Sequence, residues 1–215
     1  MTASLRLREA DRDHLVAAAA GLGIELTPRA VTDLSRFADV LDLWSPKTNL
    51  ISCRSPRELV DRHLLDSLAV AQTLPDEPAL IVDLGSGAGF PGVPLAILRA
   101  DLRFILVEAR RRRASFLNEV RRTLRLPNVE VLEQRAEDPP ESFEHAATAV
   151  VTRAVWSNEA LVPIAAEWLT REGIVVWMRS DPLEDDFASG DYRREASLQY
   201  RIEANRPRFI EVLRR

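Results

Sequence analysis

The chain has little of several features that mark particular classes of protein. It contains one cysteine, Cys53, among 215 residues, which excludes an internal disulfide framework and a cysteine-rich zinc site. No apolar run approaches the roughly 18 residues that a membrane span needs. Residues 1–9 lack the apolar core of a secretion signal. We therefore expect a globular protein that acts in the cytoplasm, away from membranes.

An excess of positive charge is also absent. The formal net charge is −4, which argues against sequence-independent binding of nucleic acid over the whole surface. Even so, one predicted helix carries seven arginines, namely Arg110–Arg113, Arg121, Arg122 and Arg125. A charge run is usually a solvated face, but seven arginines on one helix also suit a patch that faces phosphates. The sequence leaves both interpretations open.

What the chain does contain is a repeating pattern of strands and helices. Residues 1–78 are predicted to form a helical lobe, with a turn-rich connection at Ser45–Leu50 and helices over about 10–21, 28–44 and 56–73. Further helices are predicted over about 92–99, 111–125 and 157–170. The predicted strands span 79–84, 103–108, 129–134, 147–152, 173–178, 197–202 and 208–213, the last two separated by Asn205-Arg206-Pro207. The pattern predicts an α/β fold for 79–215, with a mostly parallel, doubly wound sheet and a C-terminal antiparallel hairpin. Together with the lobe, this domain is expected to form one compact unit.

The most informative segment is a strand that runs into Asp83 and then into a turn with Gly85, Gly87 and Gly89. Glycine adopts positive φ and, without a Cβ, lets a ligand lie against the backbone. A strand, a glycine turn and a helix place that ligand at the carboxyl edge of a parallel sheet. The spacing Asp-x-Gly-x-Gly-x-Gly is that of Rossmann-like class I methyltransferases, which hold S-adenosyl-L-methionine.

Two further residues refine this interpretation. A dinucleotide fingerprint that started at Gly85 would need glycine at position 90, which is Phe90. Glu108 ends the next predicted strand, near the spacing expected for a carboxylate that accepts hydrogen bonds from ribose hydroxyls. Glu108 alone would be an ordinary solvated acid. With the glycine loop one strand earlier, it predicts an adenosyl-ligand site.

Two later loops complete the candidate site. Ala136-Glu137 follows the third predicted strand, where a backbone amide and a small side chain can read the edge of an adenine ring. Thr152-Arg153-Ala154 ends the fourth strand. There Arg153 could hold the methionine carboxylate of the ligand or a substrate phosphate. The alternative is a surface ion pair between Arg153 and Glu159.

The candidate site lacks an obvious base or nucleophile. No Asp/Asn-Pro-Pro-Tyr/Phe/Trp motif follows the fourth strand, and Cys53 lies in the helical lobe. His63 and Asp66 are three residues apart, so they share a helix face and favour a structural hydrogen bond over a catalytic dyad. The site therefore suits an acceptor atom with a free lone pair, such as a purine ring nitrogen.

Six motifs occur in a characteristic order. They are Asn49-Leu50-x-Ser52, Arg62-His63-x-Leu65-Asp66-Ser67-Leu68, Asp83-x-Gly85-x-Gly87-x-Gly89-Phe90-Pro91-Gly92-x-Pro94, Phe116-Leu117, Ala136-Glu137 and Thr152-Arg153-Ala154. Over about residues 30–180 the chain thereby resembles the GidB-type family, the ribosomal RNA small subunit methyltransferases G. The resemblance implies methyl transfer from S-adenosylmethionine to N7 of a guanine in 16S ribosomal RNA. It also implies ligand contacts at the matching positions Gly85, Phe90, Ala136, Glu137 and Arg153, with Arg153 as the catalytic residue that orients the ligand.

The chain departs from that family at two places. Met178-Arg179-Ser180 stand where Lys-Gly usually ends the fifth strand, and Thr152 stands where serine is usual. We expect a monomer that acts on 16S rRNA or the small ribosomal subunit. The alternatives are methylation of another RNA site or of a small molecule, and a non-catalytic relative that binds ribosomes.

Overall fold

The computed structural model of the chain describes residues 4–153, 157–202 and 207–215. The helices are α1 (Glu9–Gly21), α2 (Pro28–Thr48), α3 (Pro56–Leu59), α4 (Leu65–Ala69), α5 (Gly92–Leu98), α6 (Arg111–Leu124) and α7 (Asn158–Trp168). The strands are β1 (Leu80–Leu84), β2 (Arg103–Val107), β3 (Val129–Leu132), β4 (Ala147–Arg153), β5 (Leu169–Arg179), β6 (Ala188–Ser189), β7 (Tyr192–Tyr200) and β8 (Arg208–Arg214). A π-helical segment, Val60–Leu64, joins α3 to α4, and a 3-10 segment, Val70–Thr73, follows α4.

The eight strands found in the described ranges form one sheet in the order β3-β2-β1-β4-β5-β8-β7-β6. The first five neighbours pair in parallel, while β8 pairs antiparallel with both β5 and β7. The central strand β1 is apolar apart from Asp83 and is buried on both faces, as parallel strands between helical layers are. The predicted α/β architecture with a C-terminal antiparallel hairpin is confirmed.

α2 begins where the sequence predicts and ends later. The Thr27 hydroxyl accepts a hydrogen bond from the Ala30 N–H, and Pro28 occupies the first turn, as at many helix starts. The prediction of a turn over Ser45–Leu50 was wrong, because the helix continues past Pro46 to Thr48. It ends at Asn49, whose left-handed φ of 46° suits asparagine at a helix end.

Other boundaries also differ from prediction. The predicted helix over 56–73 is interrupted by the π-helical segment Val60–Leu64. β5 starts at Leu169 and β7 at Tyr192, both before the predicted strand starts. Ser157 stands at the N-cap of α7 as predicted, but its side chain makes no capping hydrogen bond. Of the residues singled out in the sequence, Ala154, Asn205 and Arg206 lie outside those that the structure describes.

The two faces of the sheet carry separate apolar clusters. One cluster packs the N-terminal helices, α5 and α6 against the sheet, and the other packs α7 against the opposite face. Phe37 of α2 lies at the centre of the first cluster, with its ring centroid 5.2 Å from that of Phe90 and 6.5 Å from that of Phe116. The N-terminal helices therefore share a core with the sheet, and a domain division between residues 78 and 79 stays a prediction. Among the described residues, no helix is both long and apolar enough to cross a membrane.

Candidate functional site

The loop after β1 turns sharply at three glycines. Gly85, Gly87 and Gly89 have φ values of 69°, 56° and 87°, in the left-handed region that disfavours other residues. At Gly89 space is also short, because a Cβ there would lie 2.8 Å from Cγ2 of Val93. The loop thus brings bare backbone to the carboxyl edge of β1, as a nucleoside-binding turn requires.

Asp83, near the end of β1, holds this loop through a hydrogen bond. Its Oδ2 accepts a hydrogen bond from the Gly92 N–H at 3.0 Å, while the buried Oδ1 has no partner among the described residues. Burial is complete and raises the pKa of the Asp83 carboxyl to about 7. Gly92 must be glycine here, since a Cβ would lie 2.4 Å from Leu106 and 2.5 Å from Asp83 Oδ2. Asp83 therefore shapes the loop and the first turn of α5.

Glu108 follows β2 and joins the loop. Its Oε2 accepts a hydrogen bond from the Gly87 N–H at 3.0 Å, and its Oε1 accepts one from the Arg110 N–H at 2.8 Å. Each carboxylate oxygen has a second lone pair, so both can still accept a hydroxyl hydrogen. The structure thus brings the glycine loop and the predicted ribose-binding acid together.

Ala136 and Glu137 lie in the loop after β3. The Ala136 side chain is buried, and its carbonyl accepts a hydrogen bond from the Trp168 indole N–H at 2.7 Å. Glu137 is exposed. Trp168 therefore fixes the position of this loop, and Glu137 is accessible to a ligand.

Arg153, at the end of β4, contacts the helical lobe. Its Nη2 lies 3.0 Å from Nδ1 of His63, its Nη1 lies 3.7 Å from Oδ2 of Asp66, and its guanidinium lies 5.5 Å from the ring centroid of Phe90. The side chain is 27% exposed, so it is reachable from solvent. The side chain of Glu159, the alternative partner, lies outside those described.

His63 is a neutral acceptor in this arrangement. Burial, followed by the charge of Arg153, lowers the pKa of its imidazole to about 3. The ring packs against Phe90, with the two centroids 5.0 Å apart. The hydrogen bond predicted between His63 and Asp66 is absent from the described residues, because each of the two side chains contacts Arg153 instead. Phe90 is buried, and its ring packs against those of Phe37 and His63 as well as against the Arg153 guanidinium.

Asp66 also contacts Tyr200 and Arg208, two residues that the sequence did not indicate as part of the site. Its Oδ1 accepts a hydrogen bond from the Tyr200 hydroxyl at 2.5 Å and lies 3.9 Å from Nε of Arg208. Tyr200 belongs to β7 and Arg208 to β8, and no local signal connects either strand to α4. A cavity of about 170 Å³ lies beside this cluster, and its lining includes Arg62, His63, Asp66, Arg153, Arg179 and Arg208. Among the described residues, the lining carries four arginines and one carboxylate, so it is strongly cationic.

Comparisons with known proteins identify related sequences and the fold. The family model described as GidB, rRNA small subunit methyltransferase G, matches residues 30–209, which include every motif of the sequence resemblance. A "Ribosomal RNA small subunit methyltransferase G" of Roseiflexus castenholzii is 38% identical over 154 residues, covering 70% of this chain and 65% of that relative. The protein of the same name from Anaeromyxobacter sp. is 39% identical over 160 residues, or 74% of each chain. The chain thus spans just under two thirds of the length of the Roseiflexus relative.

Solved structures share the fold at low sequence identity. A SAM dependent methyltransferase from Aquifex aeolicus superposes with a TM-score of 0.56 at 12% identity, covering 74% of this chain and 93% of the other. At that identity the likeness concerns the fold alone.

Proposed function

Because the chain belongs to the rRNA small subunit methyltransferase G family, we propose that it methylates N7 of a guanine in 16S ribosomal RNA with S-adenosylmethionine. The observation that supports the cofactor in this proposal is the pair of hydrogen bonds from the Gly87 and Arg110 N–H groups to Glu108, which hold the predicted ribose-binding acid beside the glycine loop. We further propose that the protein acts in the cytoplasm as a monomer on the small ribosomal subunit, because ribosomal RNA of that subunit is what the family description names.

The residues around the loop fit S-adenosylmethionine. Gly85 and Gly87 offer open backbone, and the Glu108 carboxylate offers acceptors for ribose hydroxyls. The loop of Ala136-Glu137 follows β3, where the fold leads us to expect the adenine. When bound, the cofactor would supply a methyl group attached to a sulfonium. The sulfonium sulphur is a good leaving group because it becomes a neutral thioether.

The proposed acceptor needs no general base. Guanine N7 carries a lone pair and no proton, so it forms the new N–C bond itself while the electrons of the C–S bond stay on sulphur. The base acquires the positive charge and no proton needs to be removed. His63 is held neutral by burial and accepts a hydrogen bond from Arg153, to which we assign the orientation of the ligand. Catalysis then depends on alignment and on exclusion of water.

Radiolabelled S-adenosylmethionine and unmodified small ribosomal subunits test the reaction. We expect labelled 7-methylguanosine after digestion of the 16S rRNA. Label in another nucleoside would contradict the acceptor atom, and absence of label despite cofactor binding would contradict the activity.

Arg153→Ala tests the role of the arginine. We expect methyl transfer to fall by about 100-fold or more, the size of effect that misplacing a reacting partner produces. Arg171→Ala is the matched control. Arg171 is exposed near the start of β5, whereas Arg153 pairs with Met178 near the end of that strand. Activity of Arg153→Ala equal to that of the control would contradict the assigned role.

A further inference from the structure

α6 and its flanking residues carry dense positive charge that the candidate site does not use. Residues 110–125 contain seven arginines and one acid, Glu119, which gives this segment a net charge of +6 in a chain of net charge −4. Arg110, Arg111 and Arg112 stand at the start of the helix. Positive charge there opposes the helix dipole, which favours acids at the first turn. Helix stability therefore does not account for these arginines.

Polar and basic side chains follow one face of this helix. The residues Arg111, Ser115, Asn118, Arg122 and Arg125 are spaced by four, three, four and three positions, and all are exposed. We call these five residues the arginine stripe. From end to end it extends about 21 Å at the rise of an α-helix. The opposite face packs into the core.

The charge of the stripe is mostly not neutralised by neighbours. In the described part of the chain, no carboxylate lies within ion-pair distance of Arg111 or Arg125, whereas Arg122 pairs with Glu119 at 2.5 Å. The stripe also contains no apolar residue. The exposed large apolar side chains among the described residues are Val16 and Leu43, and neither lies on α6. The face therefore suits an anionic partner rather than the apolar centre of a protein interface.

The stripe begins beside the glycine loop. The Arg110 N–H donates to Glu108, and Nη1 of Arg113 lies 3.7 Å from where a Cβ of Gly87 would stand. At its far end the stripe borders a groove of about 720 Å³, lined in part by Asn118, Arg122 and Arg125. A chain of phosphates that followed the stripe would thus lead away from the candidate reaction site.

We infer that the arginine stripe binds the phosphodiester backbone of the RNA substrate, independently of base sequence, next to the methyl-transfer site. The inference rests on the proposed function for the identity of the RNA. Its physical content is a set of phosphate contacts, each of which releases counterions and makes binding depend on salt.

The triple variant R111S/R122S/R125S tests the stripe. The control R171S/R193S/R215S removes the same charge from exposed arginines on β5, β7 and the residue after β8. Two probes are used, an oligouridylate and unmodified small ribosomal subunits, and affinity is measured over a range of salt concentrations. For the stripe variant we expect about tenfold or more weaker binding of both probes at low salt. The slope of log Kobs against log salt should become shallower by about 2 to 3. The affinity for S-adenosylmethionine, measured by calorimetry, should be unchanged.

The outcomes separate this inference from the proposed function. Equal affinities and slopes for the stripe and control variants, or no binding of either probe by the unmodified protein, would overturn the inference. Salt-dependent binding that the stripe variant loses would support it, even if no 7-methylguanosine were formed. That result would contradict the proposed reaction but still support the arginine stripe as an RNA-binding surface.

Discussion

Asp83 connects the glycine loop to α5, and its burial makes stability depend on pH. The carboxyl has a pKa of about 7 in the folded chain against an ordinary value of 3.8. Between these values the folded chain keeps a proton that the unfolded chain releases. The free energy of unfolding should therefore fall as the pH rises from about 4 to 7, by up to about 4 kcal/mol from this group.

Asp83→Asn isolates this effect, because the amide oxygen can still accept the Gly92 N–H but the side chain does not titrate. We expect the stability difference between wild type and variant to change across this pH range in the stated direction. Urea unfolding at several pH values measures it. A constant difference would contradict the raised pKa.

Gly92→Ala tests the close packing at the same point. The new Cβ would lie 2.4 Å from Leu106 and 2.5 Å from Asp83 Oδ2, so we expect a loss of about 1 to 3 kcal/mol in unfolding free energy. Gly21→Ala is the control, since no atom lies within 4 Å of its added Cβ. That variant should match or slightly exceed the wild type in stability. A Gly92→Ala protein as stable as the control would show that the core can yield at this place.

At the scale of elements, the hydrogen bond from Tyr200 to Asp66 joins β7 to α4. Tyr200→Phe leaves a buried carboxylate without its nearest donor, which should cost about 1 to 3 kcal/mol. Tyr192→Phe on the same strand is the control, because the Tyr192 hydroxyl is buried with no hydrogen-bond partner among the described residues. Urea unfolding should separate the two variants, and hydrogen exchange in β7 should quicken for Tyr200→Phe alone. Equal behaviour would contradict a structural role of the bond.

The sequence predicts correctly those elements whose formation depends on residues adjacent in the chain. Strand β1 is apolar and ends in a glycine turn, and α2 begins at a capping threonine followed by proline. The cluster at Asp66 could not be predicted, because Tyr200 lies 134 residues away along the chain. The π-helical segment before α4 likewise has no cause visible in its own residues.

At the scale of the whole molecule, the lobe and the sheet should unfold together. Phe37 is fully buried between them, so Phe37→Ala should cost about 3 to 5 kcal/mol. Leu43→Ala on the same helix should cost little, because Leu43 is 66% exposed. Tryptophan fluorescence and far-UV circular dichroism should give coincident transitions in both variants. Separate transitions in the Phe37→Ala protein would mean that the lobe unfolds on its own.

The position of β8 in the sheet sets an order of events during synthesis. β8 is made after β7 but lies between β5 and β7, so β7 has no place on the sheet until β8 arrives. A nascent chain whose residues 208–214 are still inside the ribosomal tunnel must leave the hydrogen-bonding edge of β5 open. If translation paused at that stage, the unpaired edge of β5 would stay exposed. An exposed strand edge can pair with another chain and aggregate, or be bound by a chaperone.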